Sequence, residues 1–341
     1  SDVAAHSTGI LDIKTTILPN ADALFLTAID KYGHELWRWT FPVDKLNQTN
    51  EVFSPLSGKA TYSETENELT VKAKNHTFIF SKRDGQLKGV SVNNHKISFA
   101  NGPRFIGARR ADRSLDQFYN HDDEKAKEKD RTYSEFPDAA VFTKLEVKED
   151  GGNLIVTANY KLGNLDKAQW TINPNGEAAL DYTYNFSGVV DLIGISFDYP
   201  EDQVISKRWL GAGPYRVWQN RIHGTQYDVW ENDYNDPIPG ETFTYPEFKG
   251  YFDSVSWMNI RTKEGTISLT NETPDSYIGV YQPRDGRDRL LYTLPESGIS
   301  VLDVIPPVRN KVNSTDLCGP SSQPKWVNGP QTGRIIFRFM E

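Results

Sequence analysis

The chain has 341 residues, 37% of them hydrophobic, with a formal net charge of −8 and a sequence pI near 5.4. That acidic balance argues against nucleic acid or an anionic membrane as the principal partner. The mean hydropathy of −0.59 and the lack of an apolar run of about 18 residues give no transmembrane helix. A single cysteine, Cys318, excludes an internal disulfide and any multi-cysteine metal cluster.

In chain order, the start Ser1-Asp2-Val3-Ala4-Ala5 reads as a cloning scar or an internal cut, with no signal peptide visible. Ala23 to Asp30 and Leu36 to Thr40 read as strands. They are too few for a complete immunoglobulin-like sandwich of about 100 residues. A lone strand pair exposes its edges, so it is expected to fold back on the main domain or to pair with another chain. Asn47 to Leu56 reads as a linker. Thr70 to Lys74 and Thr77 to Ser81 alternate as strands, and Asp84-Gly85 is a hairpin turn. Asp122 to Arg131 is a charged run, either a short solvated helix or a loop.

Val141 to Val147, a turn at Asp150-Gly151-Gly152, and Leu154 to Ala158 form a second hairpin. Trp170 to Ile172, the turn Asn173-Pro174-Asn175-Gly176, and Ala179 to Tyr184 form a third. Gly265 to Leu269 and Arg334 to Phe339 add further strands. Strands separated by Gly, Pro and Asn turns predict an all-β fold, an antiparallel sandwich.

The stretch from Arg208 to Arg221 concentrates Trp209, Tyr215 and Trp218 with Arg208, Arg216 and Arg221 around the Gly213-Pro214 turn. Rings and guanidinium groups beside a turn are what a sugar-facing surface needs, although a core role serves the tryptophans equally well. Arg109, Arg110 and Arg113 read either as carboxylate ligands or as a solvated loop paired locally with Asp112 and Asp116. The acidic runs His121 to Glu124 and Glu231 to Asp236 do not follow an EF-hand pattern and read as solvated surface. An epimerase would need an acid and a base on opposite sides of a sugar, and His121, His223 and Glu247 are the candidates.

Three segments carry a family resemblance. Trp209, Leu210, Gly211, Gly213, Pro214, Asn220 and Arg221 fall on the pattern W-L-G-x-G-P-x-E-N-Y-x-D-R, with Trp218 near its aromatic position. Pro246, Glu247, Gly250, Asp253, Val255 and Trp257 resemble P-Q-E-N-G-N-R-x-D-V-R-W with a one-residue slip, and Lys249 and Tyr251 replace an Asn and an Arg. Gly33 to Val43 is similar to G-H-E-V-A-W-E-Q-F-P-L. These are patterns of the C-terminal region of lac-type β-galactosidases, glycoside hydrolase family two. A late loop, Asp316 to Trp326, departs from the family's G-x-G-G-x-x-S-W, with Gly319, Ser322 and Trp326 the nearest equivalents.

The resemblance implies a galactose mutarotase-like β-supersandwich over 57–341, preceded by the last strands of a truncated immunoglobulin-like domain over 1–46 and a linker over 47–56. It implies that the two catalytic carboxylates, about 5–5.5 Å apart in a retaining enzyme, belong to a (β/α)₈ barrel upstream, so no catalytic residue is expected here. A carbohydrate-binding rim of Trp218, Arg221, Glu247 and Trp326 is expected, with a galactoside-like carbohydrate and the parent enzyme's barrel and immunoglobulin-like domains as partners. Trp326 in its loop either stacks on a ligand or packs on the domain. No cofactor or metal ligand is expected within the chain, while the full enzyme can hold a cation. A periplasmic or secreted location fits the family. A self-sufficient aldose epimerase and a stand-alone carbohydrate-binding module remain the alternatives.

Overall fold

Period-two patterning becomes strand almost throughout the computed structural model, which describes residues 3–4, 6–10, 12, 21–43, 58–110, 133–233, 250–281, 297–307 and 319–341. In chain order the strands begin with β1 (Ala23–Ile29), β2 (Glu35–Pro42), β3 (Thr61–Glu64), β4 (Glu68–Ala73), β5 (His76–Ser81), β6 (Leu87–Val92) and β7 (His95–Ile97). There follow β8 (Ala100–Arg110), β9 (Tyr133–Glu135), β10 (Val141–Asp150), β11 (Asn153–Lys161), β12 (Leu165–Ile172), β13 (Ala178–Val190), β14 (Leu192–Asp198) and β15 (Val204–Gly213). The last are β16 (Gln226–Asp233), β17 (Phe252–Asp253), β18 (Trp257–Thr262), β19 (Gly265–Asn271), β20 (Tyr277–Val280), β21 (Ile299–Val304) and β22 (Lys325–Met340). Among the described residues there is no α-helix, only short 3₁₀ turns such as Glu201–Gln203 and Pro320–Ser322. The charged run from Asp122 to Arg131 lies outside the described residues.

The chain divides into two compact units, Ser1–Val52 and Phe53–Glu341. In the first, β1 and β2 pair as an antiparallel hairpin, with Phe25 opposite Thr40 and Leu26 opposite Trp39. Among the described residues, the second unit is built of two sheets. One has nine strands in the order β10-β11-β12-β13-β22-β19-β18-β15-β16. The other has eleven, β17-β20-β21-β14-β8-β6-β5-β4-β3, with β7 joined to β6 and β9 to β8. Among the described residues every strand pairing is antiparallel, the expected arrangement.

Alternation sets which residues face inward. On β22, Ile335, Phe337 and Phe339 are buried, and on β13 so are Leu180, Tyr182 and Tyr184. Phe337 and Phe339 from the nine-stranded sheet meet Phe99 at ring distances of 5.1 and 5.4 Å, and Phe99 stacks on Phe197 of β14 at 4.6 Å. Such aromatic contacts add about 0.5–1.5 kcal/mol per pair beyond burial. Polar links also span the sandwich: His76 Nε2 of β5 bonds to the Phe339 carbonyl of β22 at 2.9 Å, and the Tyr184 hydroxyl of β13 donates to the Asp303 carboxylate of β21. Burial raises the Asp303 pKa, and the Tyr184 bond only partly offsets it.

A smaller apolar cluster lies apart from the main core. It joins Ile106 and Ala108 of β8, Leu192 of β14 and Leu302 of β21 to Val217, Trp218, Tyr251 and Ile305. Phe105, Ile193 and Val301, the sequence neighbours of three of these, belong to the main core instead. By alternation, the second cluster therefore covers the opposite, outer face of the eleven-stranded sheet. Strands β14 and β21 are consequently buried on both faces.

Candidate functional site

Two of the sequence segments noted above are packing partners. Trp209 of β15 is fully buried, and its indole stands edge-on to Phe252 at 4.8 Å. In the ladder with β18, Trp209 lies opposite Met258 and Leu210 opposite Trp257. Gly211 passes so close to the second segment that an added Cβ would sit 3.0 Å from the Asp253 and Ser254 carbonyl oxygens. Beyond the Gly213-Pro214 turn, Val217 and Tyr251 exchange backbone hydrogen bonds of 2.8 and 2.9 Å. Gly250 is required there, because a Cβ would overlap the Val217 carbonyl oxygen. Lys207 and Arg216, both buried, place their cationic groups 6.0 and 5.8 Å from the centre of the Phe252 ring, within cation–π range.

The late segment that carries Ser322 and Trp326 is attached by a turn. The Arg221 amide donates to the Trp218 carbonyl at 2.8 Å, closing Trp218–Arg221 as a four-residue turn. The Gln219 amide donates to the Pro306 carbonyl at 3.1 Å. Gln219 Nε2 donates to the Gln323 carbonyl at 2.9 Å, and Asn220 Nδ2 donates to Ser322 Oγ at 3.0 Å. These bonds fix the turn against the 3₁₀ turn Pro320–Ser322, which leads directly into β22. Trp326 is the second residue of that strand, opposite Val189 of β13.

The expected rim residues divide. Trp326 is 69% exposed, the most exposed of the chain's 8 tryptophans. Arg221 is exposed at the end of its turn. Trp218 is not on the rim surface. Only 1% exposed, it stands perpendicular to Tyr251 at 5.7 Å and fills the outer cluster. The reason is geometric: residues one and four of the turn lie in an antiparallel bridge, and the apolar one faces the sheet while the charged one faces water. Glu247 lies outside the described residues, as do Arg113, Asp112, Asp116 and His121. Arg109 is a half-buried residue of β8, opposite Ser134. The residue that sequence reading passed over is Gln219, whose amide ties two distant segments; its only cue was a polar residue between Trp218 and Asn220.

This arrangement offers an exposed indole face, a guanidinium group and a fixed amide-bearing turn. Those groups stack on C–H surfaces and donate hydrogen bonds.

Residues 72–297 match the family model of the beta galactosidase small chain. No curated protein matches the chain. Among solved structures, it is similar to a galactose 1-epimerase from Lactobacillus acidophilus, with 9% identity and a TM-score of 0.47 over 84% of this chain and 99% of that one. A putative aldose 1-epimerase from Escherichia coli K12 gives 9% identity and a TM-score of 0.39 over 82% and 98% of the two chains. A putative mutarotase from Salmonella typhimurium gives 9% and 0.37 over 87% and 100%. The family match takes in both motif segments packed together around Trp209 and Phe252, and it spans well over half of the sequence: the chain belongs to the beta galactosidase small chain family.

Proposed function

We propose that this chain is the C-terminal, non-catalytic portion of a β-galactosidase-like enzyme of glycoside hydrolase family two. Its role is to complete the rim of an active site whose carboxylates belong to a barrel domain. The observation that carries this reading is the pair of side-chain bonds from Gln219 and Asn220 to Gln323 and Ser322, which hold the motif turn beside the segment bearing the exposed Trp326. In that arrangement Trp326 stacks on the sugar and Arg221 donates to its hydroxyls, with Glu247 a further contact. The hairpin β1–β2 is then the end of an immunoglobulin-like domain, and the sandwich buttresses the other domains.

The test is catalytic. The chain alone, incubated with aryl β-galactosides and a panel of other aryl glycosides, is expected to give no release above the blank. In the same samples, polarimetry of α-galactose is expected to follow the uncatalysed mutarotation rate. Release proportional to protein concentration would overturn the non-catalytic assignment, and accelerated mutarotation would establish the epimerase alternative.

A further inference from the structure

The two segments that meet at the rim carry no negative charge. Residues 209–227 and 317–340 contain no aspartate or glutamate, although 46 of the chain's 341 residues are acidic and its net charge is −8. At that density each stretch would be expected to hold several acids. The motif itself marks the same change. The pattern W-L-G-x-G-P-x-E-N-Y-x-D-R has two acids in the turn, and counted from Trp209, Arg216 stands at its Glu and Asn220 at its Asp.

What remains at the surface is positive. Arg221, at the end of the turn, and Lys325, the first residue of β22, are both exposed, and neither enters an ion pair among the described residues. They lie on either side of a fixed joint: Gln219, two residues before Arg221, donates to the carbonyl of Gln323, two residues before Lys325. Arg216 is buried against Phe252, so it adds no contact of its own. Asp191 follows Val190, which lies opposite Lys325 in the ladder, but it is only 4% exposed and presents no carboxylate at the surface.

We infer that the rim selects a galactoside bearing an anionic group, a carboxylate or a sulfate ester, over a neutral one. The inference deepens the rim reading given above and rests on it. The Arg221 guanidinium is a planar fork that pairs with a carboxylate or a similar oxyanion through two parallel bonds, stronger than its bond to a neutral hydroxyl. Alternation sends the Lys325 and Trp326 side chains to opposite sides of β22, so Lys325 acts on a stacked sugar through its field and not by contact. Between exposed groups that field reaches about 8 Å at physiological ionic strength and is weakened by salt. The acidic chain as a whole repels anions, and the acid-free rim is where an anionic sugar can approach.

The test is ¹⁹F NMR of the whole chain labelled with 5-fluorotryptophan, its Trp326 resonance assigned through Trp326→Phe. The ligands are methyl β-D-galactoside, its 6-sulfate and the methyl glycoside of D-galacturonate, titrated at equal ionic strength. At least one of the two anionic ligands is expected to bind about tenfold more tightly than the neutral galactoside, and the comparison between them identifies the anion. Lys325→Gln should narrow that gap about threefold, and added sodium chloride should narrow it in the native chain. Arg221→Gln should abolish the gap, and Arg221→Lys, which keeps the charge but not the fork, should restore part of it. Equal affinity for all three ligands, or a gap that neither Lys325→Gln nor Arg221→Gln changes, would overturn the inference and leave a neutral rim in place. A Trp326 resonance moved as far by sodium sulfate alone would reduce the site to an adventitious anion and overturn it too. No movement with any ligand would remove the rim reading and this inference together.

Discussion

Burial separates residues that look equivalent in the sequence. Trp218 and Trp326 are both tryptophans in Gly- and Pro-rich surroundings, yet one is 1% exposed and the other 69%. Removing the Trp218 ring empties the outer cluster, so Trp218→Ala should lower unfolding stability by about 3–5 kcal/mol. Trp326→Ala should change it by no more than about 0.5 kcal/mol. Urea denaturation of the two variants checks this, and equal losses would refute the division. Asp303 gives a second residue-scale prediction. Its folded pKa is raised by burial, so the folded state keeps that proton to a higher pH than the unfolded chain does. Stability from this group is therefore fully present below the unfolded carboxylate pKa of about 3.9, and it is lost as pH rises through the folded value. Asparagine never ionises and can still accept the Tyr184 hydroxyl. The melting temperature of Asp303→Asn relative to the native chain should thus improve between pH 4 and pH 8. A relative decline over that interval would contradict the argument.

At the scale of elements, alternation and turn chemistry made the hairpins legible. Asn173-Pro174-Asn175-Gly176 was readable as a turn because the Asn173 carboxamide oxygen accepts the amides of Asn175 and Glu177, each at 3.0 Å, a local geometry that asparagine favours. Strand β14 was not legible, because Leu192 to Phe197 is buried on both faces and shows no alternation. The long-range pairing of β13 with β22 has no local signal either. Between Pro214 and Arg221 there is no strand period to say which side chains turn inward, so the direction of Trp218 could not be read. The motif glycines, by contrast, have a packing explanation that spacing alone did not supply. Gly250→Ala would drive a methyl group into the Val217 carbonyl. It should cost about 1–3 kcal/mol, measured by thermal unfolding. A neutral outcome would mean that the Val217–Tyr251 bridge gives way readily.

For the whole molecule, the two units differ in how far they bury their apolar side chains. The sandwich encloses a continuous aromatic core, whereas Phe25, Trp37, Trp39 and Phe41 on the β1–β2 hairpin are each 45–49% exposed. A two-stranded hairpin is marginal by itself, which accords with the proposal that it ends a larger domain. Within the sandwich, the proposed site is a single wall. Its affinity for galactose should therefore be weak, on the order of millimolar, equivalent to about 4 kcal/mol. The most direct test of the central claim is ¹⁹F NMR of the chain labelled with 5-fluorotryptophan, the Trp326 resonance assigned through Trp326→Phe, during a galactose titration. The account predicts a saturable millimolar shift of the Trp326 resonance, weakened by Arg221→Ala, while the buried Trp218 resonance stays in place. A Trp326 resonance that does not move up to 100 mM galactose would contradict it.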